Sequence, residues 1–161
     1  MSSIVIPPPV LVAPVPAEGG EQIEFDGFFP PVDPALVRAE QRIDDNVTAG
    51  RLRAAIVAAM LTIDNDVRAW RARHQAAGHA TLADVPAPVI AGESRNVLLY
   101  RRAIGCLAKA EIIERYRDFD QTGAGQRDVA ELSSAIGELR RDGRHAIRDL
   151  LGKPRTMVEL I

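Results

Sequence analysis

The residues able to do chemistry are thinly spread and badly spaced for it. His74, His79 and His145 show no metal-ligand spacing with one another or with Cys106, and no second cysteine exists to complete a thiolate pair. Asp64-Asn65-Asp66 opens like a calcium loop, but it lacks the glycine and the distal glutamate that close one. It falls inside a helical stretch, where it reads as a solvated face. Gly123-Ala124-Gly125 has no strand before it, so it reads as a loop and not a phosphate cradle. Ser133 and Ser134 lie in a helical pattern without a glycine elbow, which leaves no nucleophile to pair with a histidine. These patterns predict no catalytic residues, no metal and no cofactor.

Arginine is the one polar residue that clusters: Arg101-Arg102, Arg115 with Arg117, and Arg140-Arg141-Arg144 with Arg148. Most have acidic neighbours at helical spacing, which predicts surface ion pairs. The sharper alternative makes Arg101, Arg102, Arg140, Arg141 and Arg144 contacts for DNA phosphates or for an acidic partner surface. The net charge of −2 argues against a dedicated nucleic-acid binder or a polybasic membrane protein, yet it is unevenly distributed. Residues 1–33 hold five acids and no base, a charge of −5, while the remainder holds all 20 bases against 17 acids, a charge of +3.

These side chains must be positioned by an aliphatic framework, because aromatics make up only 4% of 161 residues of which 47% are hydrophobic. Such a composition suits helix packing and is enough for one core. Cys106 sits in the apolar run Ala103–Ala108 and is expected to act as a small hydrophobe in a reducing compartment. No run approaches the ~18 apolar residues of a membrane span, and the N-terminus lacks the basic and unbroken apolar regions of a signal peptide.

Pro7-Pro8-Pro9, Pro14 and Pro16 bar helix from the leader, so it should be extended. It reads either as a disordered leader or as an arm that buries Ile4, Ile6, Val10, Leu11 and Val12 on another subunit. Phe25, Phe28 and Phe29, punctuated by Pro30-Pro31, would staple the root of this arm to the domain. Asp33-Pro34 is an N-cap followed by proline at the first helical position, and predicts a short helix to about Ile43. From Thr48 the series Leu52, Ile56, Met60, Ile63, Val67, Trp70 and His74 predicts one long helix to about Ala77, stopped by Gly78.

An ordered connection should follow, since Leu82, Val85, Val89 and Ile90 would otherwise lie in solvent. A helix from Glu93-Ser94 to about Phe119 is apolar on much of its circumference, through Val97, Tyr100, Ile104, Leu107, Ile112, Tyr116 and Phe119, which marks it as central. The last helix carries Val129, Leu132, Ile136, Leu139, Gly143, Ile147 and Leu150 on one stripe and ends at Gly152 and Pro154. The expected class is all-α: a small bundle of three long helices plus a short N-terminal helix. The arm occupies 1–32, the bundle 33–153 and an extended C-terminal docking segment 154–161. In that segment Arg155, Met157, Val158, Leu160 and Ile161 are candidate partner contacts, because a strand-length tail needs an edge to join.

Phe28-Phe29-Pro30, Asp33-Pro34, Trp70-Arg71-Ala72-Arg73, Thr81–Ala87, Gly92-Glu93-Ser94, Glu114–Asp118 and Gly152-Lys153-Pro154-Arg155 occur in this order. Together they resemble the head completion/stabilisation proteins (GpL family) of temperate contractile-tailed bacteriophages, from about Phe25 to Ile161. The resemblance implies a structural, non-enzymatic neck component, assembled in the host cytoplasm, that joins the filled head after DNA entry. It implies binding to the portal protein, a ring of about twelve copies, and a platform for a tail-completion or neck protein. Non-specific contact with packaged DNA is compatible with it, and a membrane is not involved. A helical DNA-binding or packaging-recognition module is the alternative, against which the long connection Gly78–Gly92 counts.

Overall fold

A computed structural model describes residues 21–117 and 126–154, and the side chains of 116–117 and 126–131 are left aside. The arm anchors Ile4 to Val12, the tail Arg155–Ile161, Phe119, Gly123–Gly125 and the side chains of Tyr116 and Val129 thus lie outside the described residues.

The described chain is mostly helical: α1 (Pro34–Gln41), α2 (Ala49–Ala76), α3 (Arg95–Arg117) and α4 (Gln126–Leu150). Asp33 caps α1 by accepting from Ala35 N at 2.8 Å, with Pro34 at the first turn as the sequence predicts. The helix stops two residues before the expected Ile43. Arg42 turns left-handed (φ 49), and its N–H and that of Ile43 close on Ala39 O and Arg38 O. The guanidinium of Arg38 then organises the next loop by donating to Asp44 O and Val47 O, each at 2.7 Å.

Thr48 caps α2, and Leu52, Ile56, Met60, Ile63, Val67 and Trp70 are all buried along one stripe. Gly78, at φ +94, ends the helix as expected. The expectation for Asp64 is overturned. Far from a solvated face, it is among the few buried polar residues, at the edge of the same stripe.

The connection buries Leu82 and Val85 but not Val89 and Ile90, which are 70% and 51% exposed. These two form β1 (Val89–Ile90), paired antiparallel with β2 (Glu93–Ser94) around Ala91-Gly92. Both turn residues have positive φ, 52 and 83, the mirror-image turn that matches strand twist. A hairpin this short, tied to α3 on its β2 side, leaves the side chains of Val89 and Ile90 uncovered. It also delays the start of α3 to Arg95.

α3 is central. It packs against α2, α4 and α1, whereas α2 and α4 barely meet. Val97, Tyr100, Ile104 and Ile112 are buried, with Leu107 partly so. On α4, Ile136, Ile147 and Leu150 are buried, but Leu132 is 39% exposed because it precedes the stretch where α4 is covered.

The folded body begins earlier than the arm assigned to 1–32 allows. Ile23 and Val32 form an isolated antiparallel bridge with N–H···O distances of 2.8 and 2.9 Å, and both are buried. Between them Gly27 takes φ +82, and Phe28 and Phe29 turn inward. Phe28 meets Trp70 edge-on at 6.5 Å, while Phe29 stacks on Tyr100 at 4.7 Å and 13°. Two buried aromatics outweigh the ordering cost of a proline-stiffened loop.

Candidate functional site

Of the five arginines singled out above, four form ion pairs, three of them between different elements. Arg101 clasps Glu93 through both terminal nitrogens at 2.8 and 2.9 Å, fastening the hairpin to α3. Arg102 on α3 and Arg141 on α4 share Asp142, at 3.6 and 4.0 Å, and Arg140 pairs with Glu114 across the same two helices. Arg144 is exposed, with no ion pair among the described residues, and lines a groove of about 250 Å³ between α2 and α4 with Asp66 and Glu111. The structure therefore does not bring these cations together as one basic patch. Their acidic partners neutralise most of what a phosphate backbone would attract.

Arg71, which the sequence marks only as part of a motif, is better placed. Its Nη1 lies 2.5 Å from Asp26 Oδ2 and 2.9 Å from Asp64 Oδ1, and its guanidinium sits 5.9 and 5.7 Å from the Phe25 and Phe29 ring centres. Asp64 Oδ1 is buried and makes no aligned hydrogen bond, so charge alone holds it. Asp26 also accepts from Phe28 N at 3.1 Å. Burial, with the charges of Asp26 and Asp64 behind it, pushes the Tyr100 phenol far above its ordinary pKa, which keeps it neutral. This is a lock that fixes the N-terminal root on α2 and α3. The signal for it was present in the sequence as Arg68 and Arg71, four and seven residues after Asp64.

Next to the lock, the root walls an apolar groove of about 410 Å³ lined by Phe25, Phe28, Phe29, Pro30, Pro31 and Val97. Phe25 remains 38% exposed on it. Thr81 and Ala83 supply the opposite side. Thr81 is pinned there by Asp84, whose carboxylate accepts from its N and Oγ1 at 2.8 Å each and is held below the usual carboxylate range by those bonds. Among the described residues no group of histidine, cysteine or carboxylate side chains could hold a metal. Cys106 is buried, which raises its thiol pKa and leaves it unreactive.

The body that starts at Ile23 coincides with a family boundary. The model of the phage head completion protein (GPL) family matches residues 23–161. The chain belongs to that family. It is 40% identical, over 94% of its length and 89% of the relative, to the head completion/stabilization protein of Escherichia phage P2. It is 27% identical to the probable head completion/stabilization protein of Haemophilus phage HP1, over 86% of the chain and 91% of that protein. No solved structure matches it. As a phage head completion protein it has no helix, among the described residues, long and apolar enough to cross a membrane.

Proposed function

We propose that this head completion protein is a structural adaptor of the head–tail connector. It binds the portal after DNA packaging, stabilises the filled head and offers a platform for tail attachment, as a ring of copies in the neck of the virion. The observation that carries the reading is the extent of the family match, which runs through the folded body and the C-terminal segment. The supporting physical argument is the contrast between body and ends. The helices and the N-terminal root cover one another's apolar faces, while the sequence before Glu21 and after Pro154 carries aliphatic residues in excess of what a solvated tail needs. A helical body flanked in sequence by a proline- and aliphatic-rich leader and by a β-compatible C-terminal segment suits an adaptor that joins different neighbours.

The ion-paired state of Arg101, Arg102, Arg140 and Arg141 favours this reading over a DNA-binding module. The pairs of Arg101, Arg102 and Arg140 tie α3 to the hairpin and to α4. The test is sedimentation of the pure protein with and without purified portal. A small species alone and a ring with portal is the expected result. A stable ring without portal overturns portal-templated assembly, and no association overturns the adaptor role.

A further inference from the structure

We propose that the outer edge of β1 receives the chain's own C-terminal segment, Arg155–Ile161, as a third strand of the hairpin sheet. This goes beyond the adaptor reading and holds with or without a portal, because edge and segment belong to one chain.

The edge is defined by the register. Val89 pairs with Ser94 and Ile90 with Glu93, and Arg95 N donates to Pro88 O at 2.9 Å. Bonded and non-bonded pairs alternate along an antiparallel ladder, so Val89–Ser94 is a non-bonded pair and the N–H and C=O of Val89 point away from β2. Among the described residues neither group meets a backbone partner beyond the hairpin. β2 is held on α3 by the Glu93–Arg101 clasp, which leaves β1 as the open edge. Successive side chains leave a strand on opposite faces, and Val89 and Ile90 are 70% and 51% exposed, so both faces of this edge are open and apolar. Such an edge is a template for one more strand.

The occupant follows from where the described chain stops. Arg95, the residue after β2, donates from Nη1 to Asp149 O at 3.4 Å, which sets the root of the hairpin against the last turn of α4. The adjacent Arg148 donates from Nε and Nη2 to Pro154 O at 3.1 and 2.6 Å, after the chain has turned at Gly152 with φ +66. Hairpin root and Pro154 are therefore both held by consecutive residues of α4. The residues that follow, Arg155–Ile161, can span up to roughly 25 Å, several times the length of a two-residue strand.

Composition selects this segment over the leader. A strand added to β1 must supply backbone donors and an apolar group on each face. Arg155–Ile161 contains no proline, and it alternates Met157 and Ile161 with Val158 and Leu160, so either alternation carries aliphatic groups. The leader sets Pro7-Pro8-Pro9 between its aliphatic runs, which removes three consecutive donors. Attachment to the same body also gives the segment an effective concentration at β1 on the order of millimolar, above that of a second copy in dilute solution. A partner that takes the tail must first lift it off β1.

The test is residue-resolved amide exchange on the isotope-labelled full-length chain at two protein concentrations. Val89 N–H should exchange about ten-fold or more slowly in the parent than in the full-length chain carrying Val158→Pro and Glu159→Pro, which loses one donor from each alternation. The slowing should persist on dilution, with the amides of α3 unchanged between the two chains. Equal Val89 rates overturn the inference. Protection that fades on dilution overturns it in favour of a second copy, and protection that arises only when portal is added overturns it in favour of that partner. Portal-dependent sedimentation of the parent protein reports on the adaptor reading separately, so the two failures are distinguishable.

Discussion

Gly143 on α4 faces Leu107 on α3 so closely that a Cβ added there would lie 2.9 Å from Leu107 Cγ and 3.0 Å from its Cδ2. This close approach joins the two most extensively packed helices. Gly143→Ala gains about 1 kcal/mol of helix propensity but overpacks a partly buried leucine, for a net loss of about 1 kcal/mol, and Gly143→Leu loses about 3. In a denaturant titration, Leu107→Ala combined with Gly143→Ala should be more stable than the two single losses summed, because each makes room for the other.

Arg71→Met leaves the buried Asp64 with only the exposed guanidinium of Arg68, 3.7 Å away, and should cost about 3 kcal/mol with the helical signal of the remaining fold retained. Adding Asp64→Leu should recover much of that loss in a urea titration. A cost for Arg71→Met as small as that of an exposed ion pair, below ~1 kcal/mol, would show that the lock contributes little.

Acid should weaken the fold in two steps. Burial, with the charges of His79 and Arg73 behind it, lowers the pKa of His74 from 6.5, so the unfolded chain takes up that proton more readily. Stability therefore falls as pH drops through about 6.5. Asp84 is held below 3.8, chiefly by its bond from Thr81, so its contribution is present above 3.8 and is lost as pH falls through the folded value. Thermal melts against pH should lose the upper step in His74→Gln and the lower one in Asp84→Asn.

Truncation distinguishes the arm from its root. Removing residues 1–20 should leave the melting transition of the isolated protein nearly unchanged while particles leak DNA or fail to hold tails. Removing 1–24 also deletes Ile23 and its two bonds to Val32, and should cost about 2–4 kcal/mol. Equal stability of the two truncations would overturn the packed role of Ile23.

Deletion of Arg155–Ile161 should preserve the helical circular-dichroism signal and block incorporation into particles, if that segment docks on a neighbouring edge. Normal incorporation of the shortened protein, scored by immunoblot of purified particles, would refute the docking role.

Much of this architecture was legible from residue spacing. The stripe from Leu52 to Trp70, the caps at Asp33 and Thr48 and the apolarity of much of the circumference of α3 each follow from local rules, and each holds in the structure. What the spacing concealed were partnerships across the chain. Asp64 looks solvated beside Asn65 and Asp66 until Arg71 and Asp26 are brought to it from different elements. Val89 and Ile90 look like core because β-branched pairs usually are, yet a two-residue hairpin has no face to cover them. Ala91-Gly92 is a poor advertisement for the turn it makes, since alanine rarely takes a positive φ.

The stack of Phe29 on Tyr100 sets an order of events during synthesis. The ribosome releases Phe28 and Phe29 early, but Trp70 emerges about 40 residues later and Tyr100 about 70, which at roughly 5–20 residues per second is a wait of about 4–14 s for the final partner. During that interval the nascent N-terminus carries its aromatic pair and the arm's aliphatic anchors together, without the surface that later covers the pair. Slowing translation between codons 30 and 100 should prolong that exposure and increase capture by chaperones, whereas slowing it after codon 117 should not.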